Sequence, residues 1–430
     1  MYTPQLLFGE VGASTNTLSH EPFLERARLQ REQEREGSAR LALGAYVVAR
    51  LIDKLLTLGN DAEQLEGFHW QLEAVRRHVT ELPGDVPETA HLAGVVSAVP
   101  ADGKVTSGLW MSLTAYAYYL EHEARLEEAL ELLTLAARAQ GDVTAAPDFV
   151  SYALFAGRLN RQLARWDVAG ECYQAAEDAA ASSSDLTRTL RARLGRAHVL
   201  RSRGNLPQAQ AEVAQVISRA AASDLPDVQG DAHQDMGVIL MLQGQRAESL
   251  EATYKGFRFA QNPMSRMRIL GDLGYGLSES GYYEAARLAL EIVVASNADH
   301  LVKLNSLLEL MQLESATGNR VAFERRRVEA KGLIERMTPS LALDYRYKTA
   351  VGFARFEQVE RARQVLTEAL EIAEKHHLNE WYFRLERTLN DLTTGPTIAE
   401  DIKAPAEATS TPAVQEMAVE LREYASSAAD

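Results

Sequence analysis

Among 430 residues there is a single cysteine, Cys172, and only thirteen prolines. One thiol excludes an intrachain disulfide framework and any thiolate zinc cluster, and it suits a reducing cytosol. No run comes near the ~18 consecutive apolar residues of a membrane span. Positive charge is also short: 45 Lys and Arg face 60 Asp and Glu, a formal net charge of −15. That balance repels nucleic acid and anionic membrane, so neither is expected as a direct partner. The opening MYTPQLLFGEVGAS has no basic n-region, so no signal peptide and a cytoplasmic location are expected.

Catalytic signatures are missing too. There is no H-E-x-x-H and no G-x-S-x-G. ADGKVTSG contains Gly-Lys, but Ala98 stands where a Walker loop needs glycine and Val105 where it needs a magnesium-binding hydroxyl. EHEA (121–124) offers one histidine, and His376 and His377, being adjacent, point about 100° apart on a helix. Neither is the i, i+4 pair that grips a metal. No metal, no cofactor and no enzyme activity are expected. Cys172 reads as a packing or surface residue, because a catalytic thiol would need an activating base.

One stretch looks like an exception. GDLGYGLSESGYYEAARLALEIV (271–293) places four glycines ahead of a helical pattern, as a phosphate-binding loop would. Such a loop follows a strand, and the preceding MSRMRIL lacks β-branched alternation. Gly274 and Gly281 lie seven residues apart, as do Gly237 and Gly244, which is about two helical turns. Glycine inside a helix costs ~1 kcal/mol against alanine, so Gly237 and Gly274 should have a reason, and close approach of two helices supplies it. Gly276 has no counterpart in the neighbouring repeats.

What the chain does have is a period. A residue five places after each helix-ending position recurs as Ala129, Ala169, Ala209, Ser249, Ala286, Phe323 and Ala362, in steps of 40, 40, 40, 37, 37 and 39. Most rungs carry an apolar residue four places on: Leu133, Tyr173, Val213, Leu290 and Leu366. Ser249 and Phe323 depart from the small residue expected there. Regular self-similarity of this length marks a solenoid of stacked helix pairs.

Leu270, Leu273, Gly274, Leu277, Gly281, Tyr283, Ala286, Leu290 and Val293 resemble the tetratricopeptide repeat, and EEALELLTLAARA (127–139) resembles its second helix. The resemblance implies an all-α fold: a right-handed superhelix of seven helix pairs over residues 108–392, with a period longer than the family's usual 34. LLELMQLESATGNRVAFERRR is its least typical repeat. Ahead of the pairs, residues 21–99 read as a helical bundle that caps the first repeat. Its first part, 21–40, is charge-rich and reads as solvated; 41–56 reads as buried, and Asp61 as an N-cap. Residues 1–20 and 394–413 read as flexible. Residues 414–426 regain a stripe of Val414, Met417, Leu421 and Tyr424. That end is either a frayed acidic tail or an amphipathic hook that docks on this protein or a partner.

In tetratricopeptide proteins the first helices line the binding groove. Carried onto this chain, the groove positions include Arg158, Arg161, Arg191, His198 and Arg201. Residues 158–203 hold nine arginines against five acids, inverting the global sign. Arginine grips carboxylates with two parallel hydrogen bonds, so the expected partner is a protein or peptide that is acidic or carboxylate-terminated. Alternatively the arginines pair with acids of adjacent helices. The chain therefore reads as a non-catalytic scaffold that binds a partner's peptide segment. Its overall plan also resembles bacterial peptide-pheromone receptors, which regulate a response regulator or a promoter. A third reading has copies of the chain assembling end to end.

Overall fold

The computed structural model describes residues 19–59, 62–100, 103, 105–140, 146–334, 337–375, 378–394 and 405–429. Asp61, His376, His377, most of the 1–20 segment and residues 395–404 of the expected linker lie outside these. Among the described residues the chain forms twenty α-helices and no strand. None of these helices is long and apolar enough to cross a membrane. By its contacts the chain divides into Met1–Gly204 and Asn205–Asp430.

The first unit opens with α1 (Glu21–Glu32), α2 (Glu36–Leu56), α3 (Ala62–Thr80) and α4 (Pro87–Ala98). Glu34, at φ 59°, turns the chain between α1 and α2. Their apolar stripes converge on Phe23, Ile52, Phe68, Leu72 and Leu92, each at most 1% exposed. Burying side chains of this size contributes roughly 1.5–3 kcal/mol apiece. The same core continues into Leu109, Leu113 and Leu120 of α5 (Ser107–His122). One expectation is corrected here: the charge-rich 21–40 segment is not simply solvated. Phe23 is fully buried, and Arg26 reaches Glu88 on α4 at 3.0 Å. After α5 come α6 (Leu126–Gln140), α7 (Ala146–Gln162), α8 (Trp166–Ser182) and α9 (Leu186–Ser202). Helices α5 and α6 pack as one couple and α7 and α8 as the next.

The second unit begins with α10 (Leu206–Ala222) and continues with the couples α11 (Pro226–Leu242) with α12 (Arg246–Phe259) and α13 (Pro263–Glu279) with α14 (Tyr283–Ala295). Then follow α15 (His300–Ala316) with α16 (Arg320–Lys331) and α17 (Pro339–Arg355) with α18 (Val359–Lys375). Helix α19 (Asn379–Thr394) covers α18, and α20 (Pro412–Ala429) closes the chain.

The periodic ladder has a backbone origin. Ala124, Ala164, Gly204, Gly244, Gly281, Gly318 and Glu357, each five residues before a rung, all have left-handed φ between 57° and 80°. Each ends a first helix with its N–H turned back to a carbonyl of the last turn, as Gly244 does to Met241 at 2.9 Å. The small rung residue then faces the first helix across the turn. Where the rung is larger, the partner gives way. Ser249 Oγ donates to the Gly237 carbonyl at 2.7 Å, and Phe323 sits against Gly352.

The helical glycines are packing devices. A Cβ on Gly274 would lie 2.7 Å from Leu290, and one on Gly237 would overlap Thr253 Oγ1. Gly276 serves the same end against Leu250 and Met241, at 3.1 and 3.4 Å. No strand precedes the 271–293 stretch, which runs from α13 through the Gly281 turn into α14.

The C-terminal stripe is a hook on its own chain. Val414 and Met417 are 5% exposed and Leu421 is 0%. They pack with Leu250, Tyr254 and Phe257 of α12 and with α14. The Arg266 guanidinium lies over both Phe257 and Tyr424, 4.6 Å from each ring centroid. The strap leading into α20 is pinned by the Ala408 N–H on the Gly281 carbonyl at 3.0 Å. Tyr283 Oη donates to the Pro405 carbonyl, and Tyr254 Oη to Glu420.

Candidate functional site

By the register above, α5, α7 and α9 are first helices of the first unit. Between α5 and α7 lies a pocket of about 170 Å³ lined by Trp110, Thr114, Tyr118, Asp148, Tyr152 and Phe155. Tyr118 and Phe155 stack with centroids 4.1 Å apart, and Trp110 meets Tyr152 at 6.3 Å. Rings on two helices at repeat spacing thus build a slot the size of one side chain. Burial pushes the Tyr152 hydroxyl up to about 12, so it stays a neutral phenol. Ser151 lines this pocket too.

The arginines named from sequence occupy different surroundings. Arg158 holds Glu121 of α5 with two parallel bonds, Nε at 2.6 Å and Nη2 at 2.7 Å. Its guanidinium also covers Phe155, 4.8 Å from the ring centroid. Arg161 lies against Tyr173, Arg191 is exposed near Asp185, and neither His198 nor Arg201 is free. Arg165 pairs with Glu127 at 2.8 Å, and Arg193 and Arg196 share Glu177 at 2.7 Å each. The charge inversion over 158–203 is therefore largely offset, partly by acids of the preceding couple. Cys172 is buried, and burial pushes its thiol up to about 12, far from a reactive thiolate.

In the second unit the first helices α13 and α15 open a larger cleft of about 350 Å³. Its lining includes Arg268, Asp272, Tyr275, Asn305, Ser306 and Glu309. Each ionic group there is already matched. Arg268 reaches Asp231 at 2.6 Å, Gln234 donates to Asp272, and Lys348 donates to Glu309 at 2.7 Å. Burial raises the Glu309 carboxyl despite Lys348, whose ammonium is kept charged by Asp344 and Glu309 in spite of its own burial. Asn305 donates its amide N–H to the Leu301 carbonyl at 2.9 Å. Such a floor offers neutral donors and acceptors in place of a net charge.

Sequence reasoning missed Trp110, Tyr118, Tyr275 and Asn305 as a set. One signal was available for the paired charges: partners recur about one repeat apart, as in Glu121 with Arg158 and Asp231 with Arg268, both 37 residues.

No family model matches the chain, and no curated protein matches it. Solved structures do. A Rap protein complexed with competence and sporulation factor is 10% identical with a TM-score of 0.46, over 82% of this chain and 97% of that one. The apo form of RapI is 11% identical with a TM-score of 0.45, over 77% and 98%. The apo quorum sensor NprR from B. thuringiensis is 14% identical with a TM-score of 0.41, over 85% and 92%. At these values the resemblance assigns no activity; the repeat fold stands on the helices and turns described above.

Proposed function

We propose that this protein is a non-catalytic interaction protein that holds an extended peptide segment of a partner against its first helices. The observation that carries this is the cleft between α13 and α15, whose ionic groups are matched by protein partners and whose lining includes the exposed Tyr275 and Asn305. An extended backbone, with alternating N–H and C=O, suits such a floor. The aromatic slot between α5 and α7 suits one apolar side chain. Preformed helices cut the ordering cost on the receptor side of binding.

An acidic or carboxylate-terminated partner is the finer form of this reading, with Arg161, Arg191, His198 and Arg201 as its contacts. Arg158 is the least available of the set, because releasing it would strip Glu121 of its counterion.

Selection of peptides from a displayed random library on the full chain tests the proposal. Selected peptides should bind saturably and slow amide exchange in α13 and α15. Tyr275→Ala with Asn305→Ala should weaken them at least tenfold. Alanine at Arg161, Arg191 and Arg201 should weaken only acidic ones, and more at low salt. Peptides that leave exchange in the first helices unchanged, or that bind the Tyr275→Ala/Asn305→Ala variant as tightly, would reject this face.

A further inference from the structure

In this acidic chain a second helix besides α9 is strongly basic. Helix α16, RVAFERRRVEAK, carries five cations and two acids. It packs on α15 and sets the buried Phe323 ring against Gly352 and Phe353 of α17, where Tyr345 Oη also donates to the Arg327 carbonyl at 3.3 Å. The space left between α16, α17 and α18 is a cleft of about 270 Å³. Four cations line it, Arg327, Lys331, Arg346 and Arg361, against one carboxylate, Glu368.

These cations are only weakly spoken for. Arg327 pairs with Glu324 on its own helix at 2.8 Å, and Arg361 donates to Gln358 while lying 4.2 Å over the Phe353 ring. Arg346 has only the Ala342 carbonyl, at 3.0 Å, and among the described residues it forms no ion pair. Burial lowers its guanidinium pKa, with Tyr345 and Glu368 offsetting little. Glu368 itself accepts from Gln364 at 3.2 Å.

A second observation points the same way. Thr349 lines the cleft, is 4% exposed, and its hydroxyl has no hydrogen-bond partner. Threonine inside a helix ordinarily donates to the carbonyl four residues back. Thr114, Thr134, Thr253, Thr367 and Thr388 all do so here, at 2.8 to 3.0 Å. Thr349 forgoes that bond although a buried unsatisfied hydroxyl is costly.

We propose that this cleft is an anion site that takes a phosphate-type oxyanion, with Arg346, Arg361 and Lys331 supplying charge and Thr349 a hydroxyl donor. Two sources carry that chemistry, a free phosphorylated small molecule and a phosphorylated side chain of a partner protein. The site lies away from the α13–α15 cleft and does not depend on the peptide reading.

Calorimetric titration of the full chain at low salt tests it, with sodium pyrophosphate in one arm and a phosphoserine peptide beside its unphosphorylated form in the other. Saturable binding in either arm is expected, and the arm that binds names the source. Arg346→Gln with Arg361→Gln should weaken it at least tenfold. Arg325→Gln, which removes one charge at an exposed position of α16 outside the lining, should not. Thr349→Val removes the hydroxyl at equal shape, so it should weaken binding several-fold while melting no lower than wild type. Binding in neither arm, equal loss in Arg325→Gln, or unaltered binding in both Thr349→Val and the arginine pair would overturn the site.

Discussion

The ring of Phe323 on α16 occupies the space that a side chain at residue 352 would need: a Cβ built on Gly352 of α17 would overlap its Cε2 and Cζ atoms. This exchange of volume lets a repeat with an aromatic rung keep the helix spacing of repeats with alanine there. The ring is fully buried and meets Phe356 at 5.4 Å.

Gly352→Ala should therefore destabilise the second unit by about 1–3 kcal/mol, as overpacking does. Phe323→Ala, which opens a cavity, should cost roughly 3–5 kcal/mol. The double variant should cost clearly less than the two together, because each change relieves the other. Urea titration of the four proteins checks this, and strict additivity would show that the two positions do not share volume.

Gly244 and Gly281 have nearly the same backbone, φ 79° and 80°. Only Gly281 has a neighbour: a Cβ there would collide with the Ala406 carbonyl and lie 3.1 Å from the Ala408 nitrogen, whereas Gly244 has nothing within 4 Å. Alanine at either position bears the left-handed strain of ~1–2 kcal/mol. Gly281→Ala should in addition lift the strap and speed amide exchange through residues 412–425, which Gly244→Ala should leave alone. Equal exchange in the two variants would mean that α20 holds without its strap.

The contrast between α16 and α20 shows what the sequence carries and what it withholds. The second helices were readable because a 3.6-residue stripe and a left-handed turn residue are local properties, repeated seven times. The stripe of Val414, Met417, Leu421 and Tyr424 was readable too, but a stripe does not name its partner, and the groove beside Tyr254 and Phe257 lies some 160 residues upstream, as the Tyr254–Glu420 contact spans 166. The charge count is incomplete for a related reason. Counting charge along 158–203 leaves out Glu121 and Glu127, which the fold returns to Arg158 and Arg165 one repeat later. Size exchanges such as Phe323 with Gly352 need both members in view at once.

Glu88 gathers a charge cluster inside the first unit. Its carboxylate, 3% exposed, accepts from Arg26 at 3.0 Å, Arg125 at 2.7 Å and Tyr116 at 2.6 Å. Burial alone would raise its pKa, but Arg125 and Arg26 outweigh that and hold it below the usual carboxylate range. Glu88→Gln leaves two guanidiniums to share Glu128 and should cost about 3–5 kcal/mol. Glu127→Gln, which breaks the half-exposed pair with Arg165, should cost under ~1 kcal/mol. Similar denaturation midpoints for the two variants would contradict this ranking.

His20 should make the first unit sensitive to mild alkali. Both ring nitrogens face carboxylates at 2.9 Å, Nε2 towards Asp53 on α2 and Nδ1 towards Glu131 on α6. Only a protonated ring can donate to both. Burial pushes its pKa down, but Asp53 and Glu131 outweigh that and raise it to about 8 from 6.5. The pKa is higher in the folded state, so the added stability is fully present below 6.5 and is lost as pH rises through 8. The shift corresponds to ~1–2 kcal/mol. Asp53, lowered to about 2 by His20 and Arg138 against its burial, stays ionised throughout that window and contributes no slope there. The stability difference between wild type and His20→Gln should thus be largest near pH 6 and shrink by that amount near pH 9. A difference that stays constant from pH 6 to 9 would show that the ring does not carry the proton between its two carboxylates.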